Sequence, residues 1–103
     1  MADQMRIRAV LQGETVEVKV LMGHEMETGQ RKDSSGQIIP ANFIQTVTAT
    51  CNGRTVLSAQ WGAAVSKNPF LAFKFKGAAK GDKVQVTWVD NKQNKRTDEA
   101  AII

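Results

Sequence analysis

The chain has 103 residues, of which 42% are hydrophobic and 23% charged, with eight glycines and two prolines. Those proportions belong to an ordinary globular protein and exclude a disordered or collagen-like chain. One cysteine and one histidine exclude an internal disulfide and a four-ligand Cys/His zinc site, and the net charge of +4 is mild.

The length suits one domain spanning residues 1–103, with a core that buries roughly two-thirds of the unfolded surface. No apolar run reaches the roughly 18 residues needed to cross a bilayer, so no membrane partner is expected. The opening residues Met1-Ala2-Asp3-Gln4-Met5-Arg6 lack the apolar segment of a secretory signal, so no export address is expected in this chain.

Period-two alternation dominates the chain. Arg6-Ile7-Arg8 predicts a short first strand, and Val16, Val18 and Val20, separated by Glu17 and Lys19, predict a half-buried second one. From Met22 to Ala41 there is no clean period, and a loop of this length in a small domain is often functional. Phe43 to Cys51 predicts a Thr- and Val-rich strand with Phe43, Val47, Ala49 and Cys51 on one face. Asn52-Gly53 follows, and between two alternating runs this pair predicts a type I′ hairpin turn into a strand over Arg54 to Trp61.

A second irregular stretch covers Gly62 to Pro69. Phe70 to Lys76 then predicts a strand with Leu71, Phe73 and Phe75 inward, and Gly77 to Asp82 turns the chain. Lys83 to Val89 places Val84, Val86 and Trp88 on one face, Asp90 to Asn94 forms a polar turn, and Lys95 to Ile103 forms the last strand. Seven short strands separated by turn signals predict an all-β, immunoglobulin-like sandwich of antiparallel strands, with a small barrel as the structural alternative.

Lys74, Lys76, Lys80 and Lys83, followed by Lys92, Lys95 and Arg96, form the densest basic stretch. A nucleic-acid module would want on the order of 6 to 10 phosphate contacts and aromatics for stacking. Lysines at alternate strand positions more often keep an exposed edge soluble, so no nucleic-acid partner is expected.

Met22, His24 and Met26 are spaced by two, so an extended backbone points all three the same way. Thioethers and an imidazole suit Cu(I), but methionine is also a common filler of irregular contacts, and a packing or interface role is favoured. Cys51 shares a predicted strand face with Val47 and Ala49, and an inert small hydrophobe is the favoured reading; its place beside the Asn52-Gly53 turn leaves partial exposure and intermolecular pairing as the alternative. A Cys51–His24 catalytic pair would lack an orienting third group. The mononuclear iron site of superoxide reductases needs several histidines plus a cysteine, and this chain has one of each. Glu25, Glu27, Arg31, Lys32 and Asp33 make a mixed-charge loop. It reads equally as a solvated surface with weak ion pairs or as a recognition surface using Arg31 and Met26.

The segment His24-Glu25-Met26-Glu27-Thr28-Gly29-Gln30-Arg31-Lys32-Asp33 resembles the SoxZ family, the Z subunits of the bacterial sulfur-oxidation carrier complex. The family pattern is His-Pro-Met-Glu-Thr-Gly-Gln-Arg-Lys-Asp, so Glu25 stands in place of the proline and frees His24 from pre-proline restriction. Ile39-Pro40, Asn52-Gly53, Ser66-x-Asn68-Pro69-Phe70 and Val86-Thr87-Trp88-x-Asp90 also look like family features. The resemblance implies a sandwich that pairs with a second sandwich, SoxY, whose C-terminal arm carries the sulfur on a cysteine. It implies a non-catalytic scaffold without cofactor, docking the other Sox enzymes through the joint complex. The closing residues Glu99-Ala100-Ala101-Ile102-Ile103 lack the Gly-Gly-Cys-Gly-Gly arm of the Y subunit. The resemblance further implies the periplasm, reached by co-export with a signal-bearing partner.

On this reading Met22, His24, Met26, Thr28, Arg31 and Asp33 are the expected partner-binding residues, and the isolated chain is expected to be prone to self-association. Two other readings stand beside it: a free-standing immunoglobulin-like accessory module, and a small metal or redox protein using His24, Met26 and Cys51.

Overall fold

A computed structural model describes residues 4–103; residues 1–3, part of the stretch read for an export signal, lie outside the described residues. The alternating runs become seven strands: β1 (Arg6–Gln12), β2 (Thr15–Leu21), β3 (Ile44–Cys51), β4 (Arg54–Gln60), β5 (Phe70–Lys76), β6 (Lys83–Asp90) and β7 (Lys95–Ala101). They form two antiparallel sheets in the orders β1-β2-β5 and β4-β3-β6-β7, which is the immunoglobulin-like sandwich and not the barrel.

The core lies where the inward phases of the two sheets meet. Val16, Val18 and Val20 from β2 face Val47, Ala49 and Cys51 from β3 and Val84, Val86 and Trp88 from β6, and none is more than 2% exposed. Each buried valine contributes about 1.5–3 kcal/mol relative to an exposed one, so the three central strands hold the sandwich. Leu71, Phe73 and Phe75 point inward as expected but stay half-buried, because β5 is an edge strand with β2 on one side only.

Asn52 and Gly53 take φ values of 54° and 75°, both positive, as a type I′ turn requires, and Cys51 pairs with Arg54 across it. β3 departs from the expected phase at its start. Ile44 pairs with Asp90 and Thr46 with Val89, so Gln45 is the extra residue of a bulge. The bulge returns Ile44 to the interior, fully buried, while Phe43 lies before the strand and is half-buried. The expected core position at Phe43 is therefore taken by Ile44, because one inserted residue inverts the alternation.

The last strand also ends earlier than expected, at Ala101. Ile102 leaves the four-stranded sheet and bridges Ala9 in parallel, with Ile103 N–H donating to Ala9 C=O and Leu11 N–H to Ile103 C=O, each at 2.9 Å. Ile102 is 2% exposed and closes the β1/β7 side of the sandwich. On the opposite side, the Arg54 guanidinium donates to the Lys76 carbonyl at 2.7 Å.

Candidate functional site

The alternation of β2 continues past the end of the strand. Met22, His24 and Met26 keep the inward phase of Val16, Val18 and Val20 and are 0%, 9% and 5% exposed. The irregular stretch therefore begins as a buried strap. Met22 N–H donates to Pro69 C=O at 2.9 Å. His24 is clamped to Asn68 twice, His24 N–H to Asn68 Oδ1 at 3.1 Å and Asn68 N–H to His24 C=O at 2.9 Å. The two irregular stretches noted in the sequence thus meet at His24, and Glu25 and Lys67 add an exposed ion pair at 3.4 Å.

The His24 ring is spoken for on both nitrogens. Nδ1 accepts the Met26 N–H at 3.0 Å, which leaves Nε2 to carry the proton and donate to Asp90 Oδ2, also at 3.0 Å. Its plane stands edge-on to Trp88, with centroids 5.0 Å apart at 88°. Asp90 sits at the end of β6, 1% exposed, and gathers the amides of its own turn. Lys92 N–H donates to Oδ1 at 2.9 Å and Asn94 N–H at 2.8 Å, while Asn94 Nδ2 reaches Oδ2 at 3.2 Å. Burial pushes the Asp90 carboxyl up, but the bonds from His24, Asn94 and Lys92 outweigh it and hold the group below the usual carboxylate range. Met26 adopts φ 52° and turns its Sδ to the Ile44 N–H at 3.4 Å, covering an amide next to the bulge.

From this anchor the chain leaves as a hairpin. Glu27 bridges Asn42, Lys32 bridges Ile38, and Ile39 N–H donates to Arg31 C=O at 2.8 Å. Every residue from 30 to 38 is exposed. Gly29 makes the entry possible. Its φ is 86°, and a Cβ there would lie 3.1 Å from Ala41 Cβ, so both the backbone and the space select glycine. At the tip, Asp33 Oδ1 accepts Ser35 N–H at 2.8 Å and Gln37 N–H at 3.1 Å. Arg31 donates Nε and Nη2 to the Glu27 carboxylate at 2.6–3.0 Å. That fork, set against the burial of the carboxyl, lowers the Glu27 carboxyl below its ordinary value.

The six residues expected to bind a partner thus divide. Met22, His24 and Met26 are built into the core, and their side chains are not presented at the surface. Thr28, Arg31 and Asp33 are exposed on the hairpin. Of the atoms a copper site would use, Met26 Sδ is engaged with Ile44 and both His24 nitrogens are engaged as described, while Met22 is fully buried. Among the described residues no group of three His, Cys, Asp or Glu is placed to hold a metal ion. Cys51 is 2% exposed, and burial together with the Asp82 charge pushes its thiol up, against a smaller opposing effect of Arg54. A thiol so placed is inert.

Asp90, Asn68 and Asn94 were not picked out as site residues from the sequence. Asp90 had a readable signal: it continues the inward phase of Val84, Val86 and Trp88, and an inward carboxylate must find donors. Asn68 was marked only as part of the family-like Ser66-x-Asn68-Pro69-Phe70 segment, and nothing local ties it to His24 across 44 residues.

The family model described as "Sulphur oxidation protein SoxZ" matches residues 5–101. No curated protein sequence matches the chain. Among solved structures, hypothetical protein PH1083 from Pyrococcus horikoshii OT3 is similar at 17% identity, with a TM-score of 0.66 over 99% of this chain and 89% of that one. A superoxide reductase (neelaredoxin) from Ignicoccus hospitalis is similar at 12% identity and TM-score 0.64, over 98% and 79% of the two chains. The reduced neelaredoxin from Archaeoglobus fulgidus gives 18% and 0.60, over 95% and 85%. At these identities the likeness is one of fold alone.

Proposed function

The chain belongs to the SoxZ family of sulphur oxidation proteins, and from that membership we propose that it is the non-catalytic scaffold subunit of a sulfur-compound carrier, paired with a SoxY subunit. The observation that carries this reading is the anchored hairpin. A surface whose residues 30 to 38 are all exposed is tied at its root to buried His24 and Asp90, so it can meet a partner with little loss of conformational freedom. The single imidazole is consumed in that anchor, and Cys51 is buried at the far end of β3, which supports a reading in which the partner carries the sulfur-bearing nucleophile.

Native mass spectrometry of the chain co-expressed with its SoxY partner should give a one-to-one complex. Arg31→Glu should weaken that complex or its capture of a second Sox enzyme by at least about tenfold, while the thermal unfolding of the chain alone changes little. A monomer standing beside folded, free SoxY would remove the scaffold role and leave an accessory module. The same reading places the working complex in the periplasm. In cells lacking SoxY the chain should stay in the cytoplasmic fraction, and its accumulation in the periplasm there would end the co-export proposal.

A further inference from the structure

The outer face of the three-stranded sheet carries the whole charge excess of the protein. In register across β1, β2 and β5 it presents four rows: Arg6, Leu21 and Phe70; Arg8, Lys19 and Ala72; Val10, Glu17 and Lys74; Gln12, Thr15 and Lys76. Five of the chain's 14 Lys and Arg residues are here against one of its 10 Asp and Glu residues, so nine of each sign remain for everything else. The face alone accounts for the formal +4. The basic stretch read along the sequence is a different object, because the fold splits it: Lys74 and Lys76 lie on this face, and Lys83 and Lys95 on the outside of the other sheet.

Three features make this more than a solvated surface. Arg8 and Lys19 stand directly opposite each other on adjacent strands, an arrangement of like charges that costs stability. The one carboxylate, Glu17, is shared between Lys19 at 3.5 Å and Lys74 at 3.8 Å, while Arg6, Arg8 and Lys76 have no ion-pair partner among the described residues. Finally, the face ends in an exposed apolar pair, Leu21 at 41% and Phe70 at 62%, beside Arg6. Two shallow depressions open on this face, and both are bordered by Arg8 and Lys19.

We propose that this face docks an acidic protein surface, one that presents carboxylates at alternate positions of an extended strand and an apolar side chain at its end. The spacing carries the choice of occupant. Arg6 and Arg8 along β1, and Lys74 and Lys76 along β5, repeat every second residue, roughly 7 Å, which is the spacing of same-side carboxylates on a facing strand. A single-stranded nucleic acid would want aromatic faces along the track, and Phe70 is the only aromatic side chain on these rows. Arg6, Arg8 and the exposed Phe70 are of the residue types enriched at protein interfaces, and the lysines beside them supply the charge that an acidic partner would meet. This proposal rests on charge and register and not on the SoxY pairing, so either can fail without the other.

The test uses the full chain, isotope-labelled and titrated at low salt with a twelve-residue peptide of alternating glutamate and threonine that ends in leucine. Amide shifts should concentrate on β1, on Lys19 to Leu21 and on Phe70 to Lys76. Raising the salt from about 25 to 200 mM should weaken binding severalfold. The exposed pair Arg8→Gln and Lys76→Gln should reduce affinity by about tenfold, and Lys83→Gln with Lys95→Gln on the other sheet should leave it unchanged. Shifts spread evenly over Lys83, Lys92 and Lys95 would overturn the proposal. So would equal losses from the two double variants, or tighter binding of a single-stranded oligonucleotide of the same charge.

Discussion

Asp90→Ala should lower the folding stability by more than about 2 kcal/mol, because it leaves a buried donor unsatisfied at about 1–3 kcal/mol and strips two turn amides of their acceptor, and should release the hairpin that starts at Met22. The cost has two sources. The His24 Nε2–H loses its acceptor inside the protein, where an unsatisfied donor costs about 1–3 kcal/mol. The Lys92 and Asn94 amides lose Oδ1 at the same time, so the β6–β7 turn loosens with it. Asp90→Asn keeps the shape and one acceptor oxygen but turns an NH2 donor toward groups that themselves donate, so it should cost less than Asp90→Ala without being neutral.

Urea unfolding measures the loss, and hydrogen exchange should show the amides of residues 22 to 43 deprotected before the strands open. An Asp90→Ala protein within about 1 kcal/mol of the parent, with those amides still protected, would show that the anchor is not what holds the hairpin. The pH dependence follows from the same bonds. Asp90 is held below its ordinary value, and so is Asp98, whose Arg96 and Met5 bonds outweigh its burial. The folded state then binds fewer protons than the unfolded one as acid is added. The stability these groups contribute is complete above the ordinary carboxylate value of about 4 and is lost as pH falls below it through their folded values. Asp90→Asn should flatten part of that acid decline.

Trp88→Ala should also be severe, about 3–5 kcal/mol, while Trp88→Phe should cost clearly less. Trp88 is 1% exposed and sits in the middle of β6, pairing with Val47 on one side and Arg96 on the other. Its loss leaves a cavity between the sheets and strips the His24 edge of its aromatic partner. The indole Nε1 is buried and has no hydrogen-bond partner among the described residues. Phenylalanine removes that orphan donor while keeping most of the ring, so part of the packing loss is offset. Urea midpoints of the two variants decide the matter at unchanged denaturant slope. A Phe variant as damaged as the Ala variant would show that the indole N–H does engage an acceptor.

Much of the fold was legible residue by residue. The valines of β2 and β6 and the Asn52-Gly53 turn follow from period two and from positive φ, while the spacing of Met22, His24 and Met26 put the three on one side without telling that this side is the interior. Where the reading slipped, at Phe43 and Ile44, one bulge residue inverted the phase, and Gln45 carries no local mark of it. The candidate site was legible in part. The segment from His24 to Asp33 marked the family, but the buried half of that segment turned out to be an anchor and the exposed half the surface.

The sequence by itself determined much of the class of this protein: one cysteine and one histidine excluded an internal disulfide and a four-ligand Cys/His zinc site, and alternation with turn signals predicted a seven-stranded sandwich with a barrel as the alternative. Tertiary structure alone decided which charges stand together. Lys74 comes from a strand distant along the chain to share Glu17 with Lys19, which itself stands opposite Arg8, and His24 meets Asp90 over 66 residues. Periodicity is a local property that a reader can follow along the chain. Strand order and register are set by the burial of the whole core, and they alone bring distant charges onto one face.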